Sequence, residues 1–167
     1  SCFQLVNSFF IITLASSFSK IWEKVWNPSG PVKFALGLIM VAVGFFALSY
    51  GSLSIPQGAK TASVSMLWLI LAYFFHTMGE LCLSPVGLSY VSKLSPKKFV
   101  GLLFGFWFTA SAIANFIAGY TGAYIDKISA MYSLSTFFII IAAIPLSAAL
   151  VLLLFDKKLV KMMHGIK

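Results

Sequence analysis

The chain is poor in charge. Only 10% of its 167 residues are Asp, Glu, Lys or Arg, against about 25% in a soluble domain. With 60% hydrophobic residues, that scarcity excludes an ordinary water-soluble fold and points to an integral membrane protein. Arginine is absent, so all twelve basic residues are lysines. The formal charge of +8 is explained by loop lysines that orient membrane helices, and no nucleic-acid partner is expected. The only cysteines, Cys2 and Cys82, both fall in apolar runs. They support neither a disulfide framework nor a metal motif. There is no initiator Met, basic n-region or cleavage site, so no signal peptide is read. Ser1 leads straight into an apolar helical pattern, so the chain is expected to be a piece of a longer protein.

What is there is long apolar runs. Five segments can be drawn, at 3–21, 34–50, 64–91, 99–125 and 131–155. Each is long enough, or nearly so, to cross about 30 Å of hydrocarbon as a helix. The expected fold class is all-α integral membrane, with the whole of 1–167 as one transmembrane domain. The first segment is the most polar, with Gln4, Asn7, Ser8, Thr13, Ser16, Ser17 and Ser19, so it is expected to face protein or water. Loops are read at 26–31, 54–60, 93–98 and 126–133, where Pro, Gly, Ser and Lys collect.

The lysines orient the bundle. Ten of the twelve fall around the first loop, in the third loop and in the C-terminal tail, and only Lys60 and Lys127 lie on the other side. If five helices alternate, the ten share one face. The positive-inside rule makes that face cytoplasmic, with the N-terminus outside and the C-terminus inside.

Glycines mark close helix contacts. Gly37, Gly44 and Gly51 recur every seven residues, which predicts a small-residue seam along the second segment. Gly101, Gly105, Gly119 and Gly122 are read as packing positions too. None joins a strand to a helix, so there is no phosphate loop.

A carboxylate, Glu80, lies near the centre of the third segment. An ionised group there costs several kcal/mol unless it meets water or a partner. Tyr73, Thr77, Glu80, Ser84 and Gly87 recur at spacings of three and four, so they share one helix face. Pro85 removes a backbone hydrogen bond and predicts a kink beside the acid, with carbonyls loosened toward a cavity. On the fourth segment Trp107, Ser111 and Asn115 form a second stripe. His76 and Glu80 are one turn apart, but two ligands without an HExxH pattern do not make a metal site. His76 is expected to hydrogen-bond the acid. No nucleophile, base and orienting group come together, so no enzyme is expected. Nor is any cofactor.

"GELCLSPVGLSYVSKLSP" followed by "GFWFTASAIAN" resembles the proton-dependent oligopeptide transporter family of the major facilitator superfamily. "LVNSFFI" and "PVKFALGL" match the same family in order. The run of Glu80, Ser84, Pro85, Leu88 and Ser89 is the specific part. The resemblance implies that the five segments are helices eight to twelve of a twelve-helix transporter. It implies uptake of di- and tripeptides with protons as the coupling ion, in a bacterial inner membrane. Glu80 is similar to the residue that holds the peptide's amino terminus, and Asn7 to the residue that helps it. Trp107 and Ser111 resemble pocket-lining residues, and Ser84 lies in the same specific run. The family's first-helix ExxERFxYY motif is not in this chain, so the implied partners include N-terminal helices of the same transporter. Ser8 and Ser16 stand where the family carries proline, which predicts a straighter eighth helix. Two other readings are a facilitator carrier of a different solute and a non-transporting membrane fragment.

Overall fold

The computed structural model describes residues 2–24, 27–55 and 65–163. The chain folds as helix α1 (Cys2–Lys24), α2 (Gly30–Ser52), α3 (Met66–Leu94), α4 (Val100–Ala123), α5 (Ile125–Met131) and α6 (Leu134–Met162). A single 3-10 turn, Lys97–Phe99, leads into α4. No strand occurs among the described residues. Lys60 and Lys167, two of the orienting lysines, lie outside them.

Local chemistry starts the helices. Ser29 precedes α2 and Pro31 sits in its first turn, where a missing N–H costs nothing. Ser65 Oγ accepts from Leu67 N at the head of α3, and Ser133 Oγ accepts from Thr136 N at the head of α6. These caps occupy donors that a helix cannot satisfy internally.

α2 is the hub, packed along α6 on one side and α3 on the other. α1 packs on α3, and α4 touches α3 near the turn that joins them. The core is made of small residues: Ala35, Ala42, Ala72, Cys82, Ala142 and Ala149, with Phe137 as the large exception. The large apolar side chains point outward, as with Leu154 at 81% exposure. This is the inverse of a soluble fold and suits helices whose outer faces meet lipid tails or further helices.

The expected seam on α2 is present. A Cβ on Gly44 would lie 2.5 Å from the His76 ring, and one on Gly51 would lie 2.6 Å from Trp68. Gly37 meets Gly79 backbone to backbone: a Cβ on Gly79 would come within 2.7 Å of the Gly37 carbonyl oxygen. The four glycines of α4 have no such neighbour among the described residues, so the packing role read for them is not filled within this chain.

Polar groups tie α2 to α6 at both ends. Ser49 and Ser135 hydroxyls are 2.7 Å apart in a buried contact. At the other end Ser29 Oγ donates to Asp156 Oδ1 at 2.5 Å. Asp156 thereby faces the positive end of the α2 dipole.

Some expectations need correction. The loop read at 126–133 contains the short helix α5. The fifth segment begins at Leu134 and continues to Met162, so the helix carries the first basic residues of the tail. Among the described residues, four helices are long and apolar enough to cross a membrane: Gly30–Ser52, Met66–Leu94, Lys97–Ala123 and Leu134–Met162. α1 is one uninterrupted helix with no proline.

The Gly37–Gly79 contact is rigid backbone against backbone. Gly79→Ala is therefore expected to lower stability by about 1–3 kcal/mol through overpacking. Gly101→Ala, which meets open space within the chain, should leave the thermal unfolding midpoint unchanged or slightly raised. Equal midpoints for Gly79→Ala and the unmodified protein would refute the seam.

Candidate functional site

Glu80 sits fourteen residues from each end of α3. It is the only one of the four carboxylates near the middle of a long helix, since Glu23, Asp126 and Asp156 lie at or near helix ends. Gly79 is buried against α2, so its neighbour Glu80, about 100° further round the helix, turns away from α2 and is exposed. The carboxylate is thus offered to whatever space lies beyond this face of the chain.

One turn before Glu80, Thr77 is completely buried. Its hydroxyl contacts Asn7 Oδ1 on α1 and the Tyr73 carbonyl oxygen, the latter at 2.8 Å. Beside this pair Phe10 stacks edge-on against Phe74, with centroids 5.5 Å apart. Asn7 thus meets α3 at a residue one helical turn before Glu80. The link runs through Thr77, which the sequence placed only as one member of the α3 stripe. A threonine one turn from a mid-helix acid, on the same polar stripe, was the available signal.

Further along, α1 and α3 separate. They leave a trough of about 480 Å³ whose lining includes Phe18, Trp22, Leu81 and Pro85. Pro85 lies inside a helix that continues to Leu94 and leaves the carbonyl one turn back without its usual N–H partner. Proline and trough are thus found together, one turn beyond the acid.

Trp107 packs against α3 at Gly87, where an added Cβ would collide with the far end of the indole. α4 runs antiparallel to α3, so Ser111 and Asn115 climb toward the level of Glu80. Eight residues of rise from Trp107 to Asn115 is about 12 Å, close to the separation of Gly87 from Glu80. Yet α4 leans away: residues 108–120 are all exposed. Ser111 Oγ donates to the Trp107 carbonyl at 3.0 Å. The chain alone therefore joins Thr77 to Asn7 one turn before Glu80, places Trp107 on α3, and leaves Ser111 and Asn115 apart from them. Ser84 and Tyr73 are half-buried on α3.

His76 is a correction. It was expected beside the acid, but its ring lies against α2, 4.6 Å from Phe45 and over Gly44. It is within hydrogen-bonding reach of the Val41 backbone, and its Nε2 is buried without a partner. Residue 76 lies between two positions buried toward α2, Ala72 and Gly79, so helix geometry turns it inward. No group of three metal-ligating side chains occurs among the described residues.

Long apolar helices around a small-residue core, with a single carboxylate at mid-helix, define a multi-pass membrane protein of the facilitator type. The chain belongs to the POT family, whose sequence signature covers residues 1–140. It is 37% identical over 158 residues to the peptide transporter YePEPT of Yersinia enterocolitica, covering 91% of this chain and 30% of that protein. It is 32% identical over 169 residues to a di-/tripeptide transporter of Lactococcus lactis, covering 100% of this chain and 33% of that one. Its fold is similar to a mutant peptide transporter POT in complex with alafosfalin, with a TM-score of 0.77 and 32% identity. That match covers 96% of this chain and 32% of the other. A POT family transporter in complex with a thioalcohol-conjugated peptide gives a TM-score of 0.78 at 30% identity, covering 92% and 30%. The chain thus spans about a third of the length of these relatives. The family is one of transporters, so the chain is not an enzyme.

The Trp107–Gly87 contact yields a test. Gly87→Ala should lower the thermal midpoint by forcing the indole away. Trp107→Phe in the same chain, which removes the far ring, should recover much of the loss. Simple addition of the two losses would contradict direct contact.

Proposed function

We propose that this chain is the C-terminal portion of a proton-coupled symporter that imports di- and tripeptides by alternating access across a bacterial inner membrane. Helices upstream of it in the same transporter supply the other half of the pathway and the proton-coupling groups. The coupling ion is the proton, and no cofactor takes part. One observation carries the reading: a lone carboxylate at the middle of α3, turned out of the bundle core, with the Asn7 amide held on Thr77 one turn before it.

A peptide's α-amino group is a cation at neutral pH and loses water on reaching a midplane pocket. Glu80 offsets that loss with its charge, and Asn7 accepts a second N–H. Trp107, Ser84 and Ser111 line the pocket, with Tyr73 and Asn115 supporting it. α4 closes over the peptide when the other half of the transporter is present. The names borne by the similar proteins, peptide transporter and di-/tripeptide transporter, support the substrate class.

N-acetyl dipeptides lack the positive amine and should compete poorly for uptake by the complete transporter. Glu80→Gln should hurt the free peptide alone, by about 2 kcal/mol or more, which is roughly 30-fold in affinity. Equal competition by free and acetylated dipeptides in the unmodified transporter would remove the amine clamp. Competition by free amino acids but not dipeptides would favour a carrier of another solute.

Orientation follows from the lysines. In a background without Cys2 and Cys82, a cysteine at Lys127 should react with an impermeant thiol reagent added to intact cells. One at Lys98 should be shielded. The opposite pattern would invert the topology.

A further inference from the structure

We propose that Thr77 is a positioning residue that makes Asn7 present an acceptor, not a donor, to the incoming amine. The inference rests on the Glu80–Asn7 reading above and adds the group that orients it. Thr77 Oγ1 meets two oxygens, Asn7 Oδ1 and the Tyr73 carbonyl. A hydroxyl has one proton, and a backbone carbonyl can only accept. One proton cannot serve both oxygens fully, and Thr77 is completely buried, so no water makes up the difference.

The conflict is resolved by turning the Asn7 carboxamide end for end. Its oxygen and nitrogen ends have nearly the same shape, so the turn needs no extra room. Thr77 then donates to the Tyr73 carbonyl, the usual partner of a helical threonine. Asn7 Nδ2–H donates to Thr77 Oγ1, and each polar atom of the contact has a complementary partner. Asn7 Oδ1 swings to the side away from Thr77. Asn7 is only half-buried, so that side is open to a ligand.

The two arrangements have opposite selectivity. With Oδ1 turned outward, an ammonium finds a second acceptor beside the Glu80 carboxylate. With the NH2 end turned outward, the same ammonium meets a donor and is opposed. Thr77 thus decides whether the site favours a charged amino terminus over a blocked one, without touching the substrate.

The test uses the complete transporter in proteoliposomes. It reads the concentrations of unlabelled dialanine and N-acetyl-dialanine that halve uptake of labelled dialanine. Thr77→Val keeps the shape and removes the hydroxyl. It should lower the preference for the free peptide by about tenfold, the weight of one hydrogen bond to a charged group, and leave the acetylated peptide's value unchanged. Thr77→Ser, which keeps the hydroxyl, should keep the preference. Thr77→Val combined with Asn7→Ala should match Asn7→Ala alone, because Thr77 acts through Asn7. If Thr77→Val does not accumulate, Thr77→Ala gives the same reading. A Thr77→Val transporter of lower stability but undiminished preference would overturn the inference and leave the amine clamp standing, as would additive losses in the double variant. An unmodified transporter that treats both peptides alike would overturn the clamp and the inference together.

Discussion

The contact between Gly37 and Gly79 sets the rotation of α3, and the direction in which Glu80 faces depends on that rotation. Lipid tails are as apolar as leucine, so helices in a membrane gain little by hiding apolar side chains from them and associate by close packing instead. Two glycines let α2 and α3 meet backbone to backbone. Once Gly79 faces α2, the positions of its neighbours follow from helix geometry. Cys82 and Ala72 share the inner face, His76 is drawn onto Gly44, Thr77 meets α1, and Glu80 is turned outward. A bulky residue at either glycine would roll α3 and move the acid with it.

The polar groups obey the same constraint. Away from water, an unmade hydrogen bond costs more than it does at a soluble surface, so hydroxyls reach across helix boundaries. Ser49 pairs with Ser135, Ser29 with Asp156, and Thr77 with Asn7. The first two hold α2 and α6 as a unit at both ends. The third is a polar tie between α1 and α3, and it lies one turn from Glu80. The scaffold and the candidate site therefore use the same device, and only the third tie lies beside a carboxylate at mid-helix.

Much of the architecture was legible in the chain. Apolar length reports spans directly, because the bilayer fixes how long a span must be. Gly37, Gly44 and Gly51 declared their seam by spacing alone. The stripe from Tyr73 to Gly87 was readable because helix periodicity is fixed. The short helix α5 was hidden behind turn-forming residues in a segment of mixed polarity. The His76 partner was misread because one-turn spacing says that two side chains can meet, not that they do. Phe45 and Gly44 offered the imidazole a tighter place on α2. The openness of α4 beyond Trp107 was also invisible, since its glycines look the same whether or not a helix lies against them.

By itself the sequence determined the class of protein, the approximate spans and the presence of one carboxylate where hydrocarbon would otherwise be. These follow from composition and periodicity, which need no partner to be read. Only the tertiary structure decided which polar groups meet. Asn7 and Thr77 are seventy residues apart in the chain, and no local rule connects them. Their meeting depends on how closely α2, α3 and α1 approach one another, a property of packed surfaces that no single helix carries alone.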